Sequence, residues 1–153
     1  MKRLRLLAGV AVLAAALVSL PLMASASSVD TKLQIGFHFT ATGPNSASGT
    51  FVAAGAVKDS GTGSATFQFS PLGKQADSRV DGIQTLDGAA GSITICFREI
   101  AGPSGVPQIA ARGTFEIIAG TGAYAGVKGH GTVLVVADFE TGAIIGTEDG
   151  QAN

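Results

Sequence analysis

Leu33-Gln34-Ile35-Gly36-Phe37-His38-Phe39 sets an apolar side chain at every second position. A period of two belongs to an extended strand with one face toward a core; a helix repeats every 3.6 residues instead. The same alternation returns down the chain. Phe51 and Ala53 alternate ahead of Gly55, and Ala65, Phe67 and Phe69 alternate with Ser64, Thr66 and Gln68. Ile93, Ile95 and Phe97 alternate with Thr94, Cys96 and Arg98, and Phe115 and Ile117 with Thr114, Glu116 and Ile118. Val133, Val135, Ala137 and Phe139 form a further run, and weaker patterns lie at 79–86 and 143–147. Turn-forming residues separate the runs: Thr42-Gly43-Pro44-Asn45-Ser46, Asp59-Ser60-Gly61, Pro71-Leu72-Gly73, Asp87-Gly88 and Thr141-Gly142, with a longer loop at 102–107. All but one of the 22 glycines follow residue 26, and glycine is costly inside helices. The expected fold is therefore all-β, with about eight short antiparallel strands. A closed barrel is the first choice, because closure removes the sheet edges that invite aggregation; a sandwich is the second.

Upstream of the first run the chain has a different character. Lys2, Arg3 and Arg5 precede an apolar stretch from Leu6 to Leu20, followed by Pro21 and Ala24-Ser25-Ala26. Basic, apolar and small residues in that order make a signal peptide over residues 1–26, cleaved after Ala26. The apolar stretch is short for a membrane span, so no stable anchor is expected after cleavage. Residues 27–153 then form one secreted domain, extracellular or periplasmic, large enough to bury a core. That domain carries seven Lys and Arg against eleven Asp and Glu, and no basic cluster, which argues against nucleic acid as a partner.

Cys96 is the sole cysteine and has no partner for an internal disulfide. Free cysteine is among the most buried residue types, so its place within Ile93–Phe97 predicts a buried thiol, with a link between two chains as the alternative. His38 and His130 lie far apart and no cysteine pair exists, so no metal site is expected.

The densest motif runs from Gly113-Thr114-Phe115 through Gly120-Thr121-Gly122-Ala123-Tyr124 to Gly126, Gly129 and Gly131. This Gly-Thr-Gly-x-Tyr segment resembles the allene oxide cyclase and dirigent barrel superfamily, and in particular its small secreted bacterial members. Gly49-Thr50-Phe51 with Gly55, and Thr85-Leu86-Asp87-Gly88 with Gly91-Ser92-Ile93, are similar in character to the superfamily's segments upstream. The resemblance implies an eight-stranded antiparallel barrel with a lumen, often assembled as a homotrimer. It also implies kinship to plant proteins that steer ring closure or coupling of reactive small molecules. Their chemical residues have no position-by-position match here, so none is carried across. The glycines have a reading of their own: the link needs φ > 0 at Gly122, and Tyr124 can lie across a barrel end with a buried ring and a wet hydroxyl. Gly120-x-Gly122 with Gly126 is not a dinucleotide loop, since Gly129 and Gly131 leave no following helix, and no cofactor is expected.

Alternation puts His38, Arg98 and Glu116 on the faces opposite the apolar runs. If those faces line a lumen, the three residues and Tyr124 could bind or process a ligand. If they face solvent, Arg98 and Glu116 make an ordinary cross-strand pair. His130, between two glycines, is expected to be exposed at a strand start. No nucleophile elbow or Ser-His-Asp arrangement is present. The first functional reading is thus a barrel that binds a small apolar or amphipathic ligand without catalysis. The alternatives are a dirigent- or cyclase-like director of a reactive molecule, and a self-assembling structural or adhesive module, which apolar residues on both faces around Leu134–Val136 would favour.

Overall fold

The computed structural model describes residues 31–73, 77–104 and 107–153. The expected signal peptide and its cleavage site lie outside them. Eight strands follow in order: β1 (Lys32–Gly43), β2 (Ser46–Gly55), β3 (Asp59–Pro71), β4 (Ser78–Gly88), β5 (Ser92–Pro103), β6 (Gln108–Gly120), β7 (Gly129–Asp138) and β8 (Ala143–Ala152). Each pairs antiparallel with the next, and β8 returns to β1 through Ile35↔Glu148 and Phe37↔Gly146, closing a barrel. The only helical element among the described residues is one 3-10 turn, Gly122–Tyr124.

Alternation decides what faces inward. Leu33, Ile35, Phe37 and Phe39 are buried, as are Ile93, Ile95 and Phe97, Phe115 and Ile117, while their neighbours in sequence are mostly exposed. The weaker patterns at 79–86 and 143–147 are full strands, β4 and β8. They read weakly because their inward positions include Gly82, Gln84, Gly146 and Glu148 rather than hydrocarbon.

Those glycines explain how an eight-stranded barrel holds so many rings. Phe37 lies opposite Gly146, Phe97 opposite Gly82, and Phe115 opposite Gly131. A Cβ at Gly82, Gly131 or Gly146 would run into the facing ring. Each large residue is thus matched by an absent side chain on the adjoining strand, which fills the narrow interior without overpacking.

Three expectations need correction. Cys96 is exposed, because the pleat that buries Ile95 and Phe97 turns the residue between them outward, whatever cysteine's general preference. Asp59-Ser60-Gly61 is the start of β3 rather than a turn; the chain turns at 56–58, after Gly55 at φ +90°. Phe139 does not continue the inward series, since β7 ends at Asp138 and its ring is exposed. One irregularity keeps the pattern in register: Thr94 pairs with Ala119 but Ile95 with Ile117, leaving Ile118 as the extra, outward residue of a bulge.

Candidate functional site

The barrel has two unlike ends. Strands β2, β4 and β6 end at one, which we call the link end; β1, β3, β5 and β7 end at the other, the mouth end. Asp59 ties the link end together. Its Oδ1 accepts from the amides of Ser60 (2.8 Å) and Ala89 (3.1 Å). Its Oδ2 accepts from the Ala90 amide (3.0 Å) and the Tyr124 hydroxyl (3.1 Å). These donors, the Ala90 amide foremost, hold its carboxyl below the usual range. Burial and the neighbouring Asp59 push the Tyr124 phenol up. The Ser92 and Thr121 hydroxyls add a contact at 2.7 Å. Gly122, at φ +59°, lets this link lie against the chain at Ala90, whose carbonyl oxygen a Cβ would strike.

The residues expected to line a lumen are elsewhere. His38 on β1, Arg98 on β5 and Glu116 on β6 all point outward and are exposed. β1 and β5 lie on opposite walls of the barrel, so His38 and Arg98 never meet. Arg98 pairs with Asp81, its register partner on β4 (Nε to Oδ1, 2.7 Å), rather than with Glu116. Asp81 also holds Arg79 at 2.6 Å. Glu116 stands across from Cys96 and His130 on the outer sheet, and His130 is exposed near the start of β7. Tyr124 packs against the core at the link end and takes no part in the cavity described next. Of the motif glycines, Gly122 and Gly126 adopt positive φ, whereas Gly120, Gly129 and Gly131 are sites of close approach.

The interior polar groups are ones the alternation contained but the apolar runs did not reach. Extending Ile93, Ile95 and Phe97 by one more step gives Glu99; extending Ile144 and Gly146 gives Glu148; stepping back from Leu86 gives Gln84. All three are buried. They line a cavity of about 70 Å³ in the mouth half, among Phe37, Phe39, Phe97, Val80, Ala111 and Val133. Phe67, Ile109, Val135 and Ile144 continue the wall, only partly buried, toward the mouth, where Phe69 is exposed. By the volume a water needs, the space holds roughly five water-sized groups.

The electrostatics of this cavity are unusual. Gln84 Nε2 donates to Glu148 Oε1 at 3.4 Å, while Oε2 of the same carboxyl is buried and accepts from nothing among the described residues. Among the described residues, no Lys, Arg or His lines the space. Burial raises the Glu99 carboxyl to about 7. Burial and then repulsion from Glu99 raise Glu148 to about 8. Two acids in hydrocarbon thus share a site with one amide as their polar company. Each gives up charge far less readily in water than here, where the ionised form has lost its hydration. Chemically the arrangement can accept hydrogen bonds, hold a cation or exchange a proton. Among the described residues, no group of three or more His, Cys, Asp or Glu side chains is gathered as a metal site would require.

Comparison of the chain with family models, with curated proteins and with solved structures found no match.

Proposed function

We propose that this chain is an exported β-barrel protein that binds a small amphipathic ligand through the mouth half of its lumen. The observation that carries this reading is the buried, unpartnered Oε2 of Glu148 at the wall of an otherwise apolar cavity. A buried polar atom without a partner is costly, and a ligand's donor would relieve that cost while its apolar body fills the space. The basic-apolar-small pattern of residues 1–26 supports export. The Gly113–Thr132 resemblance to allene oxide cyclase and dirigent barrels supports a lumen-binding role and a place among their small secreted bacterial relatives. Native mass spectrometry of the purified protein tests the reading. The expected result is a small adduct that is lost on unfolding and lost when Ala111→Phe fills the lumen. A bare native mass, together with no uptake of small alcohols or amines into the lumen, would overturn it.

A second reading concerns assembly. Ile100 on β5, Leu134 and Val136 on β7 and Ile145 on β8 are exposed on the outer face of the barrel, with Val136 opposite Ile145. Together with Ala110 and Arg112 they line a shallow outer groove. We propose that copies of the chain associate through this face, as homotrimers of the kind the resemblance implies. Sedimentation of wild type against Leu134→Lys checks it: association lost in the variant supports it, and a monomeric wild type overturns it.

A further inference from the structure

We infer that the lumen ligand is an organic ammonium: a protonated amine on a short apolar body, held by Glu99 and Glu148 and surrounded by phenylalanine rings. This deepens the ligand-binding reading above and rests on it.

The inventory of the cavity wall points to that class. Acceptors outnumber donors: two carboxyls face one side-chain amide, and one carboxylate oxygen is left unpaired. An anionic ligand would add a third acceptor group to that set, and a neutral hydrocarbon would leave Oε2 unsatisfied. A primary ammonium brings three donors and a positive charge to a wall whose described residues hold one donor group and no cation. Five phenylalanines, Phe37, Phe39, Phe67, Phe69 and Phe97, line the same space. Aromatic rings around a desolvated cation contribute attraction through their π faces, and carboxylates with such rings are a natural ammonium receptor. The volume limits the part held inside to a few heavy atoms, with any longer tail leaving past Phe69.

The reading fixes a pH dependence. Among the described residues, the titratable groups facing the cavity are Glu99 from β5 and Glu148 from β8. β4 contributes the neutral Gln84, and the other five strands contribute only apolar lining residues. At acid pH both carboxyls hold their protons. A cation then binds by displacing one proton to solvent, so its apparent affinity rises with pH across the range in which the pair ionises.

The test uses three probes of matched length on the purified protein: butylamine, 1-butanol and butyrate. Titrations are followed by methyl shifts of Val133, Ala111 and Ala65 in nuclear magnetic resonance spectra. At pH 8 butylammonium should bind at least tenfold more tightly than butanol, and butyrate most weakly. Butylammonium affinity should fall severalfold from pH 8 to pH 5, while butanol affinity does not. Glu148→Gln should abolish the preference for amine over alcohol; if that variant does not fold, Glu99→Gln and the wild-type pH ratio decide. Butanol or butyrate binding as tightly as butylamine would overturn the ammonium assignment and leave the ligand-binding reading standing. Lumen methyls unmoved by all three probes would overturn both.

Discussion

The two halves of the lumen are built by the same alternation on the same eight strands, yet they differ in nearly every physical respect. At the link end Leu33, Ile35, Phe51, Val57, Leu86, Ile93, Ile95 and Ile117 fill the interior with hydrocarbon and are almost wholly buried. The Asp59–Tyr124 cluster covers them. At the mouth end the inward positions hold Gln84, Glu99, Glu148 and small residues such as Ala47, Ala65, Ala101 and Ala111, and a cavity remains. Both halves bury hydrocarbon, but only the mouth half also carries buried acids that oppose folding. A barrel can hold such a site because closure and the opposite half secure the fold independently.

Truncation gives the largest expected contrast. Ile95→Ala, in the filled half, should cost about 2–5 kcal/mol in urea unfolding, since a closely packed interior cannot collapse around the lost atoms. Ile144→Ala, beside the cavity and only partly buried, should cost well under half of that. Equal losses would mean that the two halves are equally packed.

Next in size is the response to pH. Folded Glu99 and Glu148 retain protons that the unfolded chain releases near its ordinary carboxyl value of 4.5. The native state therefore binds more protons. Their contribution to stability should be full below about pH 4.5, fall as pH rises toward about 7 and then about 8, and level beyond. Glu148→Gln should flatten this decline and raise stability at pH 9 by up to about 5 kcal/mol, at about 1.4 kcal/mol per unit of the rise from 4.5 to about 8. Stability that is instead flat between pH 5 and 8 would place these carboxyls in a solvated or ion-paired setting.

The link end has a more modest vulnerability. Gly122→Val must adopt φ near +59° and strike the Ala90 carbonyl, so it should destabilise by about 1–3 kcal/mol in thermal unfolding. A neutral substitution would show that this link does not need its observed backbone. The outer surface should respond least. Arg98→Met breaks an exposed contact with Asp81 and should leave the unfolding midpoint unchanged within error. In the same folded protein the Cys96 thiol should react with a disulfide reagent without denaturant, as its exposure requires. A protected thiol would mean that another copy of the chain covers this face.

Much of the barrel was legible in the sequence because side-chain direction along a strand has a fixed period. Leu33 to Phe39 announces both the strand and which of its residues share a face, and turn residues mark most of the boundaries. The site was less legible for the same reason. Runs recognised by apolar residues stop where the inner face becomes polar, so Glu99 and Glu148 fall just past the ends of two of them and Gln84 sits inside a weak one. His38, Arg98 and Glu116 drew notice as charged or titratable residues beside strong runs, and that position is what turns them outward.

By itself the sequence determined that the chain is all-β, how many strands it has, and which residues share a face, since these follow from local periodicity and turn chemistry. Only the tertiary structure decided which face is the interior and which acids meet there. Register and closure bring together residues as distant as Gln84 and Glu148, and their separation from water changes what a carboxyl does. No local pattern encodes that dielectric; it exists only once eight strands have closed around the space.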